Sequence, residues 1–558
     1  MSTKLIIKQA NTAELVTSAL VDKIYQLAST EGALTNDSDL EGTITVNGAA
    51  YEDAVTFLRT KFPRLVINAS AFYIRFGDAN VLQTILNAGI GDGTGVSFAD
   101  ATTASLGTTF QNNTSIVSFE EFKFFTRANT TSGTVFDGCS NLKKIDITNC
   151  SVLPSFRDCG SLEYFNGEHS VQGVAVIPDG VIEISNRWSR CNGVTEIKLP
   201  DSLSRIGQSV FESMSSLTKV YFGSGITEIL SQCFYNDTAL TEVHIPDLNT
   251  WLDINFVISS GHQSNPLYFA HHLYVDGVEV TSVDFTGRTS VGTNVLSGAS
   301  ITSVVLTSAL TSIGDRAFQD CSNLVISDLN LPNLLYLGSY AFQNTKIQVI
   351  SNLGYITTIP AYCFSNCSLL TSYVIPNSVT VIGEYAFYKT KITTVNLPNV
   401  QNVGQRAFAD CTMLTTATVK ATGSRMFSGC SQLTNITILS GCTELAFECF
   451  SGCPFTSINI PDSVTSIANN VFLNCRQLSS ITLPANVASI GDKAFWSNSA
   501  LTSITVLATT PPTVQNENFI YNFRSDLVIY VPASSLAAYQ SASGWSAHAS
   551  RIQAIPTT

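Results

Sequence analysis

Fourteen cysteines and six histidines are the residues of this 558-residue chain with the widest chemical repertoire. Thiolates and imidazoles at ligand spacing would hold zinc. Paired cysteines in an oxidising compartment would form disulfides, and a cysteine beside a histidine would make a nucleophile. The spacing argues otherwise. Cys139, Cys159, Cys191, Cys321, Cys367, Cys411, Cys430, Cys453 and Cys475 each stand three residues after a phenylalanine or tryptophan, and Cys233, Cys363 and Cys449 immediately precede one. Cys150 and Cys442 alone lie outside the scheme. Elsewhere the same place holds Met214, Thr345 and Thr390, which neither ligate as thiolates do nor form disulfides. Cysteine packs like a small hydrophobe, so reduced, buried core thiols are expected rather than metal pairs at Cys363/Cys367 or Cys449/Cys453. His169, His244, His262 and His548 are scattered, and His271-His272 is the one adjacent pair. Neighbours on a strand face opposite ways, so no zinc site is expected there.

Other chemistry is equally thin. The chain has no H-E-x-x-H, P-loop or G-x-S-x-G element, so neither a catalytic centre nor a cofactor is expected. Gly91, Gly93 and Gly95 make a glycine-rich run without the long strand and helix of a phosphate cradle, and read as a loop. A net charge of −13 argues against a nucleic-acid partner, which would want a basic stripe. Charged residues make up 13% of the chain, about half the usual ~25%. Ser, Thr and Asn must therefore cover much of the surface, which suits an extracellular or virion surface. No run of about 20 apolar residues occurs, so no membrane insertion is expected. The start, Met1 to Leu15, lacks the apolar stretch of a secretory signal.

The aromatics that set the cysteine spacing form a series of their own. They are Phe136, Phe156, Trp188, Phe211 and Phe234, then Phe318, Phe342, Phe364, Phe387, Phe408, Phe427, Phe450, Phe472, Phe495 and Phe519. Most steps lie between 19 and 24, and the 84 residues from Phe234 to Phe318 must hold an insertion. Around each aromatic the apolar positions keep their places. In 478–495, Leu478, Ile481 and Leu483 form one set, Val487 and Ile490 a second, and Ala494 with Phe495 a third. The I-x-L alternation predicts a short strand with one buried face. Pro484 should end it, and Gly491 should serve a turn needing unusual backbone angles. One unit of about 23 residues cannot bury these positions alone, whereas stacked units bury them in a continuous column.

Three phrases carry a family resemblance: Ile375-Pro376-Asn377-Ser378-Val379 through Ala386-Phe387, Ile460-Pro461-Asp462-Ser463-Val464, and Ile313-Gly314-Asp315-Arg316-Ala317-Phe318. Over roughly residues 105–558 the chain resembles the BspA-like, or Treponema pallidum-type, leucine-rich repeats of bacterial surface proteins, protists and bacteriophages. The resemblance implies a mainly β, right-handed solenoid of ~23-residue repeats used for adhesion or protein recognition. It implies no particular ligand. Residues 1–70 read as a small α+β attachment domain, with helices over Ala13–Leu27 and Asp53–Phe62 and strands at Thr43–Val46 and Leu65–Ile67. Residues 71–130 resemble the segment that precedes such repeats, through Leu106–Phe110 and Ser118–Phe122. In relatives that segment can hold a calcium loop, but here Ile90 and Ala101 stand where the first and last ligands should, so no metal is expected. Repeats follow over 131–506, with the insertion at about 249–297. A cap over 507–558 should hide the open core with a strand at 527–531 and a helix from Ser534 to Ser541.

In each strand the residue between the last two apolar positions should point outward and align between repeats. One such column reads Lys198, Tyr221, His244, with Glu196, Lys219, Glu242 beside it. The late columns, Asn459, Thr482, Thr505 and Ser457, Ser480, Ser503, are bland by comparison. Charge, aromatic and imidazole groups carry binding energy at recognition surfaces, so Lys198, Tyr221 and His244 are the candidate ligand-binding residues. Trp251 joins them from an aromatic group in the insertion (with Tyr268, Phe269 and Tyr274). The expected function is non-enzymatic: host recognition by a bacteriophage fibre or decoration protein, folded in host cytoplasm and displayed on the virion. Its partners would be a host cell-surface protein or glycan, and other virion proteins through the N-terminal domain. A bacterial or protist surface adhesin, a purely structural virion or scaffold protein, and a homo-oligomer remain alternatives.

Overall fold

A computed structural model describes residues 42–51, 57–58, 60–62, 65–125, 134–167, 170–259, 264–515, 517–521 and 524–556. The chain forms two compact units. One comprises Met1–Thr250, Val257–Ala270 and Tyr274–Gly277, and the other Trp251–Phe256, His271–Leu273 and Val278–Thr558. Both are mainly β and built from the same coil, the fold expected of leucine-rich repeats.

The unit around Phe495 shows why the sequence makes this coil. Ser480–Leu483 is a strand that buries Ile481 and Leu483 and exposes Ser480 and Thr482. Pro484 follows and ends the ladder, as a residue without an N–H must. A second short strand, Ser489–Ile490, buries Ile490. The chain then turns through Ala494 and Phe495, both fully buried. Each strand pairs in parallel with its equivalent one repeat on: Ser480↔Ser503, Ile481↔Ile504, Thr482↔Thr505 and Leu483↔Val506. A parallel ladder with one residue per residue in register puts like above like, and that makes a column of each repeat position.

The aromatic position forms the spine. In the second unit Phe318, Phe342, Phe364, Phe387 and Phe408 stack with centroid separations of 5.3, 5.8, 5.4 and 5.1 Å. In the first, Phe110, Phe136 and Phe156 stack at 5.6 Å each, and Trp188 meets Phe156 edge-on at 5.0 Å. The repeat resumes earlier than the aromatics indicate. Leu296 N–H donates to Ala317 O just as Phe318 N–H donates to Ala341 O, so a fully buried leucine fills the aromatic slot. The strands Ser282–Asp284 and Ser290–Val291 of that coil pair in parallel with Ser303–Val305 and Ser312–Ile313. The insertion expected over 249–297 thus contains a regular repeat that lacks only its ring.

Two residues per coil sit in left-handed conformation around the aromatic: Arg316 and Asp320, Tyr340 and Asn344, Tyr362 and Asn366, Tyr385 and Lys389. Such angles disfavour side chains with a Cβ. The inter-coil ladder holds them there. Tyr340, Phe342 and Asn344 donate their N–H groups to Ala361, Cys363 and Ser365 carbonyls at 3.0 Å each. Gly491 plays a different part from the one expected. Its φ is not left-handed; instead, a Cβ on it would lie 2.4 Å from Asn469 N. Close approach of successive coils, not turn geometry, requires glycine there.

All fourteen cysteines are buried. Those three residues after the aromatic do more than fill space. Cys159 Sγ–H donates to Phe136 O at 2.9 Å, Cys430 to Phe408 O at 3.2 Å and Cys475 to Phe450 O at 3.1 Å. Thr345 and Thr390 Oγ1, at the same repeat position, donate to Phe342 and Phe387 carbonyls at 2.7 and 2.9 Å. Cysteine and threonine thus share a small side chain with one hydrogen to give, the cysteines to the preceding coil's carbonyl and the threonines to their own. Burial pushes the Cys367, Cys411 and Cys475 thiols up to about 12, so they stay protonated donors.

At the ends, strands Gly42–Tyr51 and Leu65–Tyr73 pair in parallel with helical residues between them, and the second strand runs past residue 70. The expected helix over Ala13–Leu27 lies outside the described residues. Val528–Val531 and Ile552–Ala554 extend the last sheet, and Leu536–Ser541 is helical. Tyr539 and Trp545 are buried beneath them, donating to Ala508 O and Pro512 O at 2.7 and 2.8 Å.

Candidate binding surface

In the first unit the strands Glu196–Lys198, Lys219–Tyr221 and Glu242–Ile245 bury Ile197, Val220 and Val243 and turn their flanking residues outward. The register is Glu196↔Lys219↔Glu242 and Lys198↔Tyr221↔His244, so the two columns expected from spacing exist as ladders. Lys198 Nζ lies 5.5 Å from the Tyr221 ring centroid. The Tyr221 and His244 rings stack at 4.4 Å and 14°, and Tyr274 continues the stack at 4.9 Å from His244. Tyr274 enters from outside the regular repeat, and only the fold aligns it.

The neighbouring column supplies charge. Glu242 Oε2 meets Lys219 Nζ at 3.1 Å and His244 Nε2 at 2.8 Å. The His244 hydrogen bond, then that of Lys219, holds the Glu242 carboxyl below its ordinary range. The Glu242 hydrogen bond raises the Lys219 ammonium, and burial raises the Tyr221 phenol. Near neutral pH Glu242 and Lys219 therefore stay charged and the Tyr221 phenol stays neutral. A cation–π contact or exposed ion pair contributes only about 0–1 kcal/mol. The network thus orients side chains more than it stabilises the unit. The result is a preordered strip offering a cation, two stacked phenols, an imidazole and a carboxylate.

Trp251 is no part of this strip. It is 1% exposed, and its Nε1–H donates to Val295 O at 3.0 Å within the second unit. Adjacency in sequence groups it with the insertion's aromatics, but a buried indole with a satisfied N–H is core. The histidine pair diverges: His271 Nδ1 meets Gly298 O at 2.8 Å and His272 Nδ1 meets Glu279 Oε1 at 2.6 Å. In the glycine-rich loop Asp92 Oδ1 accepts from Thr94 N–H, Thr94 Oγ1 and Gly95 N–H at 2.9, 2.7 and 3.0 Å. The Tyr73 hydroxyl takes its other oxygen. The carboxylate that a cation would want is consumed by its own loop. Among the described residues no group of three His, Cys, Asp or Glu could hold a metal, and no helix is long and apolar enough to cross a membrane.

Two features escaped the sequence. Asp237 stands in the cysteine column, fully buried, with Oδ1 accepting from Met214 N–H at 2.7 Å and Oδ2 without a hydrogen bond. A carboxylate three residues after Phe234 was the available signal. The other is an open cleft beside Trp496.

Comparison with known proteins agrees with this anatomy. The model of the BspA type leucine rich repeat region matches residues 163–257, 289–415 and 415–523, in six copies. No curated protein matches. Among solved structures, a leucine-rich repeat protein from Bacteroides ovatus is 22% identical with a TM-score of 0.45, over 71% of this chain and 98% of its own. A leucine rich cell surface protein from Faecalibacterium prausnitzii is 19% identical with a TM-score of 0.26, over 60% and 88%. The leucine rich repeat protein of T. pallidum is 16% identical with a TM-score of 0.16, over 48% and 80%. The family model spans more than half of the 558 residues, and the chain belongs to the BspA type leucine-rich-repeat family.

Proposed function

We propose that this chain is a non-enzymatic binding protein that recognises a host cell-surface protein or glycan through the strip Lys198, Tyr221, His244. The observation that carries the reading is the stack itself. Four consecutive outward positions, Lys198, Tyr221, His244 and Tyr274, form a cation–π and ring ladder that the buried face does not require. The equivalent late column, Asn459, Thr482, Thr505, satisfies the same backbone with neutral groups. Preordered aromatics bind with little entropy to lose. The finer reading is a bacteriophage virion component, with the N-terminal region joining it to other virion proteins. It draws support from the thiol column, whose S–H donors need a reducing compartment during folding. A cell-surface adhesin is the second reading, favoured by the family membership.

The test replaces Lys198 and His244 with serine and Tyr221 with threonine in one variant and measures attachment of the purified full chain to host cells. Attachment should fall at least about tenfold. A still-folded variant that attaches like the parent would remove the proposal.

A further inference from the structure

Three of the four tryptophans, Trp188, Trp251 and Trp545, are no more than 1% exposed and belong to the core. Trp496 is different. It is half-buried and lines an open cleft of about 460 Å³ in the second unit with Leu473, Asn474, Ser497 and Tyr521. Tyr521 is 55% exposed and meets Trp496 edge-on at 5.7 Å and 89°. Lys493 Nζ sits 4.5 Å from the indole centroid, with Asp492 Oδ2 3.7 Å from that ammonium. The cleft walls are fixed by the inter-coil ladder: Asn474 N–H donates to Trp496 O at 2.9 Å and Ser497 N–H to Tyr521 O at 3.1 Å. The site is therefore preformed.

Repeat stacking does not call for an indole here. The position after the aromatic holds Ser365, Ala409, Ser428 and Ser451 in other coils of this unit, so a serine suffices. The lining groups also define a chemistry. An indole, a phenol, a carboxamide, a hydroxyl and an aliphatic edge converge, all uncharged. The Asn474 carboxamide and the exposed Tyr521 phenol can each offer both a donor and an acceptor to a ligand. The cation at the indole, Lys493, is already faced by Asp492, which leaves it less free to bind an anion. A wholly apolar ligand would want an enclosed pocket, and this one is open.

We propose that this cleft is a saccharide subsite. A neutral pyranose ring packs its C–H face on Trp496 while its hydroxyls reach the Asn474 carboxamide and the Tyr521 hydroxyl. The volume falls within the range of roughly 300–1,000 Å³ typical of ligand sites and accommodates a mono- or disaccharide. The subsite is independent of the strip in the first unit and goes beyond the function proposed above.

The experiment titrates the full chain with maltose, lactose and N,N′-diacetylchitobiose. It follows tryptophan emission and saturation-transfer NMR. Loss of the emission change in Trp496→Phe assigns it to that indole rather than to the three buried tryptophans. At least one disaccharide should bind with a millimolar Kd, as few contacts in an open cleft allow. Trp496→Phe should keep the fold and weaken binding about tenfold by NMR, Asn474→Ala should weaken it several-fold, and the triple variant in the first unit should bind unchanged. No response to any of the three sugars, or Trp496→Phe binding as tightly as the parent, would overturn the proposal. So would Trp496-dependent binding of an aromatic dipeptide such as Phe-Gly without any sugar response, because that would assign the cleft to peptides.

Discussion

Replacing Asp237 with asparagine should stabilise the protein at alkaline pH and do little in acid. Asp237 is fully buried, and burial pushes its carboxyl from an ordinary 3.8 up to about 9, against the Met214 N–H bond and helped by Glu212. Between those two values the folded chain holds a proton that the unfolded chain has lost. Stability contributed by the neutral acid is therefore complete below about pH 4 and is lost as pH rises towards 9, beyond which the loss is constant. Each pH unit in that window costs about 1.4 kcal/mol, so from pH 5 to pH 8 the linkage amounts to about 4 kcal/mol. Asparagine keeps the acceptor for Met214 N–H and has no proton to lose, and the same column already carries Asn498. Urea unfolding of Asp237→Asn and the parent, followed by tryptophan emission at pH 5 and pH 8, measures the difference directly. The gap between the two proteins should widen by about 4 kcal/mol at the higher pH. A gap of equal size at both pH values would show that Asp237 is ionised in the fold, and the argument from burial would fail.

Phe364→Ala should destabilise by about 3–5 kcal/mol in urea, because it empties a slot between rings 5.8 and 5.4 Å away that the rigid ladder cannot collapse. Cys430→Ala should cost about 1–3 kcal/mol, since it strips the donor from Phe408 O, and calorimetry on the pair of proteins would detect it. Under native conditions a thiol-reactive dye should label the protein slowly. After denaturation all fourteen buried thiols should titrate.

The repeat, its period and the face each residue takes were legible in the sequence because a parallel stack imposes the same environment on every coil. Phe318 through Phe495, the buried Ile481 and Leu483 and the outward Lys198, Tyr221 and His244 follow from spacing alone. The column rule also foretold that cysteines three after the aromatic are buried. It could not say that they cap carbonyls, because the donor geometry exists only once the neighbouring coil is in place. Where the repeat breaks, composition misled. Leu296 fills an aromatic slot because packing there asks for volume, not a ring. Trp251 is core because the fold returns Val295 O to meet its N–H. Tyr274 joins the ladder, and Trp496 meets Tyr521 across a cleft, through contacts between coils. Period and face are properties of each residue's place in one coil, so sequence determined them. Which side chains meet across coils depends on three-dimensional register, and tertiary structure alone decided that.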